Sequence, residues 1–162
     1  MKAYQVFARM TPERAVSLMA QLEEASPAVY NQAVAAASAV MKARPKFILK
    51  LPAAKRAQMV RRALARVAAT PLAEEVLASY FLEVRKALLV EWLDQLGLEH
   101  DEGALKTDRP ECPPEADVEK AVGAFRAAGG DDRDDRELLL AAFAAQSAID
   151  WPSLEAQLEP GD

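Results

Sequence analysis

One cysteine, Cys112, and one histidine, His100, stand in a chain of 162 residues. A lone cysteine rules out an intrachain disulfide and points to a reducing compartment. Structural zinc needs closely spaced Cys/His pairs, and one residue of each kind does not supply them. The six glycines (97, 103, 123, 129, 130 and 161) form neither a phosphate-cradling loop nor a dinucleotide fingerprint. No nucleophile elbow is present. The acidic run Asp131 to Asp135 fails as a calcium loop, because Arg133 interrupts its ligand positions and no glutamate closes it. Cys112 is followed by two prolines and has no orienting group beside it, so pairing it with His100 as a catalytic dyad has little to recommend it. No apolar run is long enough to cross a bilayer, and Lys2, Arg9, Glu13 and Arg14 interrupt the N-terminus before a signal-peptide core could form. The expectation is a cytoplasmic protein with no catalytic set, no cofactor, no metal and no membrane partner.

Negative charge is also missing, but only locally. From Ala25 to Ala73 there is no Asp or Glu, while the same stretch holds nine cations: Lys42, Arg44, Lys46, Lys50, Lys55, Arg56, Arg61, Arg62 and Arg66. From Glu91 to Asp162 the balance reverses, with 19 acidic against six basic residues. The modest overall net charge of −5 therefore hides a chain that is bipolar along its length.

What is abundant is alanine, 34 of the 162 residues. Alanine loses no side-chain entropy in a helix, so this bias favours helix nearly throughout. Thr11-Pro12, Ser26-Pro27 and Thr70-Pro71 each set a hydroxyl before a proline, the pattern of a capped helix start. Ala15, Leu18, Met19 and Leu22 continue one such helix; Val29, Ala33, Val34, Ala37, Val40 and Met41 continue the next, until Pro45 interrupts it. Residues 46–51 read as a short helix or turn tucked beneath its successor. After Pro52, Ala57, Val60, Leu64, Val67 and Ala68 fall in one sector about 100° wide. Lys55, Arg62 and Arg66 lie opposite, and Arg56 and Arg61 flank the stripe.

The stretch after Pro71 reads as one helix to about residue 96, with Gly97 as its left-handed cap. It carries two apolar stripes. Val76, Leu77, Tyr80, Phe81, Val84 and Leu88 form one, and Leu82, Leu89, Leu93 and Leu96 the other, weighted to its second half. A helix with two apolar faces is expected between two neighbours. Residues 98–113 lack periodicity. A helix follows Pro114 and stops at Gly129-Gly130, another begins at the acidic run, and Asp150 is placed to cap a last short one. Trp92 and Trp151 sit among leucines at helical spacing, as core residues do.

The fold class expected is all-α: an irregular bundle of six to seven helices around a long central helix at about 71–96, with no sheet. Its parts are an N-terminal bundle over 1–97 that includes the central helix, a loop over 98–113 and a small C-terminal helical part over 114–162 packing on the central helix, expected as one compact domain overall. For function, the residues point first to a non-enzymatic interaction or scaffold protein that uses charged surfaces, meeting an acidic protein surface or a second copy of itself. Lys55, Arg56, Arg62 and Arg66 are its candidate anion- or partner-binding residues, because several cations must share a face to hold an anionic partner. A nucleic-acid-binding regulator using the acid-free segment 25–73 is the alternative. A small-ligand bundle with Tyr80 and Arg85 at its pocket is the second.

Overall fold

The computed structural model describes residues 1–159; the last three residues of the expected C-terminal part lie outside them. Among the described residues there are ten α-helices and one two-stranded sheet. The chain divides between Val84 and Arg85 into two compact units, Lys2–Val84 and a second formed by Met1 and the chain from Arg85 onward.

The first unit contains α1 (Ala3–Arg9), α2 (Pro12–Ala25), α3 (Pro27–Met41), α4 (Pro45–Leu49), α5 (Ala53–Leu64) and α6 (Thr70–Ser79), extended by a π-helical turn over Tyr80–Val84. Helix α5 packs against α1, α2 and α3, and α6 against α1 and α3. The core between them holds Phe7, Leu18, Leu22, Tyr30, Val34, Val60, Leu64, Val76 and Leu77, all buried. Of the three hydroxyl–proline starts, only Thr11 caps as expected, accepting from the Arg14 backbone N–H at 3.2 Å. Ser26 makes no side-chain cap, and its own N–H closes α2 on the Leu22 carbonyl. Thr70 lies inside its helix, and its hydroxyl donates back to the Val67 carbonyl at 2.6 Å.

The second unit contains α7 (Lys86–Gln95), the strands β1 (His100–Asp101) and β2 (Ala104–Leu105), α8 (Glu115–Ala127), α9 (Arg133–Ala144) and α10 (Pro152–Leu158). Its core is aromatic. Trp92 packs on Phe125 and Phe143 with ring centroids 5.3 and 5.9 Å apart, and Phe143 on Trp151 at 5.6 Å. Asp150 does not cap α10; Trp151 occupies the cap position without a side-chain bond, and its indole N–H reaches the Pro110 carbonyl at 3.1 Å.

Three expectations are corrected. The single helix over 71–96 is interrupted: after the π turn, Arg85 leaves helical geometry at φ −122°, ψ 38°, and α7 starts beyond it. Each half has its own core. Val76, Leu77, Tyr80 and Phe81 are buried in the first unit, and Leu88, Leu89, Trp92 and Leu93 in the second. The apolar residues of this stretch are thus divided between two helices, each serving its own core, rather than between two faces of one strut. No proline or glycine marks the break, so the residue pattern carried no warning of it.

The expected absence of a sheet is also overturned. Within the stretch read as loop, His100 pairs with Leu105 and Asp101 with Ala104, antiparallel. Glu102 and Gly103 turn the chain at φ 49° and 93°, the two positive angles of a type I′ hairpin. Glutamate in the left-handed region is unusual, which is why the turn is hard to see in the sequence. Finally, residues 46–51 include the expected short helix but are only partly covered. Ile48 alone is buried there, while Phe47 is 55% and Leu49 42% exposed.

Candidate functional site

Helix α5 orders the cations of the acid-free segment. Ala57, Val60, Ala63 and Leu64 are its buried residues, and they set its rotation. Lys55 and Arg62, seven residues apart, consequently share the opposite face, and both are exposed. The helix ends at Leu64, however, and the backbone of Arg66 is extended at φ −90°, ψ 143°. Arg66 is exposed on the loop that follows rather than on the helical face. Val67 and Ala68, expected in the apolar stripe, are exposed for the same reason, Val67 at 70%.

Arg56, the remaining candidate, is used internally. Its Nε donates to the Tyr30 hydroxyl at 2.8 Å, and its Nη1 donates to the Leu49 and Leu51 carbonyls at 3.2 Å each. Its Nη2 lies 3.5 Å from Glu23. This guanidinium ties the connection between α4 and α5 to α3. Burial raises the pKa of Tyr30 above the usual phenol value, and the neighbouring Arg56 charge offsets part of that rise. Arg61 is likewise engaged, donating to the carbonyls of Phe7 and Met10 and to Gln58. The other seven cations of the segment, Lys42, Arg44, Lys46, Lys50, Lys55, Arg62 and Arg66, are exposed. Their side chains have no ion-pair or hydrogen-bond partner among the described residues.

Four of these seven lie between residues 42 and 50, around α4. The flanking side chains are apolar and open: Val40, Met41, Phe47 and Leu49 are all exposed. Two devices hold this turn in place. Lys42 ends α3 in the left-handed conformation at φ 52°, and the Ser38 hydroxyl donates to the Ala43 carbonyl. The Arg56 bonds to Leu49 and Leu51 secure the other side. The charge run was legible in the sequence. The exposure of the intervening hydrophobics was not, because an apolar side chain is as readily expected in a core as on a surface.

Several charged groups of the second unit are paired with one another. Arg136, buried, donates two bonds to Glu91 at 2.7 and 2.9 Å and one to the Phe125 carbonyl at 3.1 Å, with its guanidinium 4.6 Å from the Phe125 ring centroid. The Glu91 bonds raise the pKa of Arg136, against the opposing effect of burial. Arg85 contacts Asp132 at 2.5 Å and Asp135 at 2.7 Å, and Arg126 contacts Glu137 at 2.7 Å. Part of the acidic run thus neutralises Arg85, beyond any interaction with the dipole of α9.

His100 has a local structural role. Its Nδ1 accepts the Gly103 backbone N–H at 3.1 Å, so in the neutral ring the proton sits on Nε2, 2.7 Å from Asp94 Oδ1. The ring closes the hairpin and ties it to α7. Cys112 is a free, exposed thiol 3.3 Å from the Ser153 hydroxyl. Among the described residues no three His, Cys, Asp or Glu side chains are grouped to hold a metal ion. Tyr80 donates to Gln21 at 3.3 Å and accepts from Arg14 at 3.5 Å within the first unit, and Arg85 holds its two aspartates within the second. Comparison with known protein families, with curated proteins and with solved structures finds no match.

Proposed function

We propose that this chain is a non-enzymatic interaction protein whose first unit docks an anionic partner through the exposed cations of its acid-free segment. One observation carries the reading: seven cations of a segment without a single acid are solvent-exposed and unpaired among the described residues, while the two that the fold needs, Arg56 and Arg61, are engaged. Cations left unpaired on one small unit repel each other, at a cost to the folded state that an anionic partner relieves. Long Lys and Arg stems at exposed positions lose side-chain entropy only when the partner arrives. A free, exposed Cys112 fits the cytoplasmic setting this reading adopts.

The test is retention on an immobilised polyanion, such as polyglutamate or heparin, across a salt series. Retention at low salt should weaken steeply as salt rises, because binding releases condensed or screening counterions. Replacing Lys55, Arg62 and Arg66 together with alanine should lower the eluting salt concentration while leaving the circular dichroism spectrum unchanged. Absence of retention at low salt refutes the reading.

A further inference from the structure

We infer that the partner of this surface is an anionic lipid layer, met by the turn over residues 40–50. This rests on the docking reading above and assigns its partner class. Charge alone would suit any polyanion, so the decisive feature is what stands between the charges. Val40, Met41, Phe47 and Leu49 are exposed, interleaved with Lys42, Arg44, Lys46 and Lys50, and no acid lies within the turn. Phosphates of a nucleic acid offer the aliphatic side chains nothing, and Phe47 is the only aromatic in the turn for a base to stack on. An amphipathic peptide is usually received in an apolar groove. Here Phe47 and Leu49 instead flank Ile48, the only buried residue of α4, and both are open to solvent.

A lipid interface accepts this arrangement as it stands. Apolar side chains enter the boundary between headgroups and acyl chains, and Lys and Arg stems reach back to the phosphates beside them. No membrane-spanning helix is required: no helix of the described residues is long and apolar enough to cross a bilayer, and peripheral attachment needs none. The turn is also preset for the task. The left-handed Lys42 and the Arg56 bonds to the Leu49 and Leu51 carbonyls hold it at both ends, so little ordering remains at binding.

The experiment is co-sedimentation of the full chain with vesicles of phosphatidylcholine, with and without phosphatidylserine. Binding is expected only to the phosphatidylserine vesicles. Each cation near the surface is worth about fivefold in affinity, so K46A/K50A should weaken binding by about 25-fold. F47A/L49A should weaken it about tenfold or more without changing net charge. Both pairs are exposed, and an unchanged thermal melt confirms that the fold is intact. Vesicle binding untouched by F47A/L49A would overturn the insertion and with it this proposal. Retention on polyglutamate or heparin without vesicle binding would overturn the lipid assignment and leave the docking reading standing. Failure on vesicles and polyanions alike would overturn both.

Discussion

Replacing Glu91 by alanine isolates the buried charge of the second unit. Arg136 is 6% exposed, and its guanidinium is held by two bonds to Glu91, one to the Phe125 carbonyl, and the face of the Phe125 ring. Removing the carboxylate leaves a buried cation with one neutral acceptor. Breaking a fully buried pair in this way costs about 3–5 kcal/mol. Glu91, however, has a side chain 34% exposed, so water can approach the stranded guanidinium through the space vacated, and we expect about 2–3 kcal/mol. Arg136→Met removes the charge itself and keeps the stem's packing, and should cost less, about 1–2 kcal/mol. In the double variant the losses should not add, because each single change strands what the other removes. The assay is denaturant unfolding followed by tryptophan fluorescence. Trp92 and Trp151 both lie in the second unit, so the signal reports the unit that holds the pair. A loss below about 0.5 kcal/mol for Glu91→Ala would refute the argument that the carboxylate neutralises a buried charge.

Three further outcomes follow from the contacts described. Tyr30 should ionise later than an ordinary phenol in an alkaline titration of tyrosinate absorbance, because burial disfavours the anion. Its raised folded pKa means that its contribution to stability is fully present below the unfolded value of 10.0 and is lost as pH rises through the folded one; an unfolding midpoint of the first unit that does not fall in that alkaline range, relative to Tyr30→Phe, would contradict this. Arg56→Ala, which strands the Tyr30 hydroxyl and two carbonyls, should lower stability by about 2–3 kcal/mol, against a change within about 0.5 kcal/mol for Lys55→Ala one residue away. Glu102→Gly should raise stability by about 0.5–1 kcal/mol, since glycine takes the left-handed angle at no steric cost and the Glu102–Lys86 contact it removes, at 3.6 Å between exposed groups, is weak.

Much of this protein was determined locally. Alanine content and the apolar spacing in α2, α3 and α5 were sufficient to mark helices there, since propensity and amphipathic period are read from neighbours in the chain. Gly97, at φ 68°, ends α7 where an achiral residue was the natural choice. The charge segregation, too, is a property of residue order alone. Tertiary structure decided what local chemistry leaves undetermined. The stretch from Pro71 to Leu96 has helix-forming residues throughout, yet it breaks at Arg85, where the guanidinium engages Asp132 and Asp135 far along the chain. Arg56 and Arg62 look alike in sequence, but one is fixed to carbonyls and a phenol while the other faces solvent. Phe47 and Leu49 are large apolar residues, yet they remain outside the core. Whether an apolar or cationic side chain is buried, paired or open depends on which distant segments fold against it, and the local pattern of residues does not reveal them.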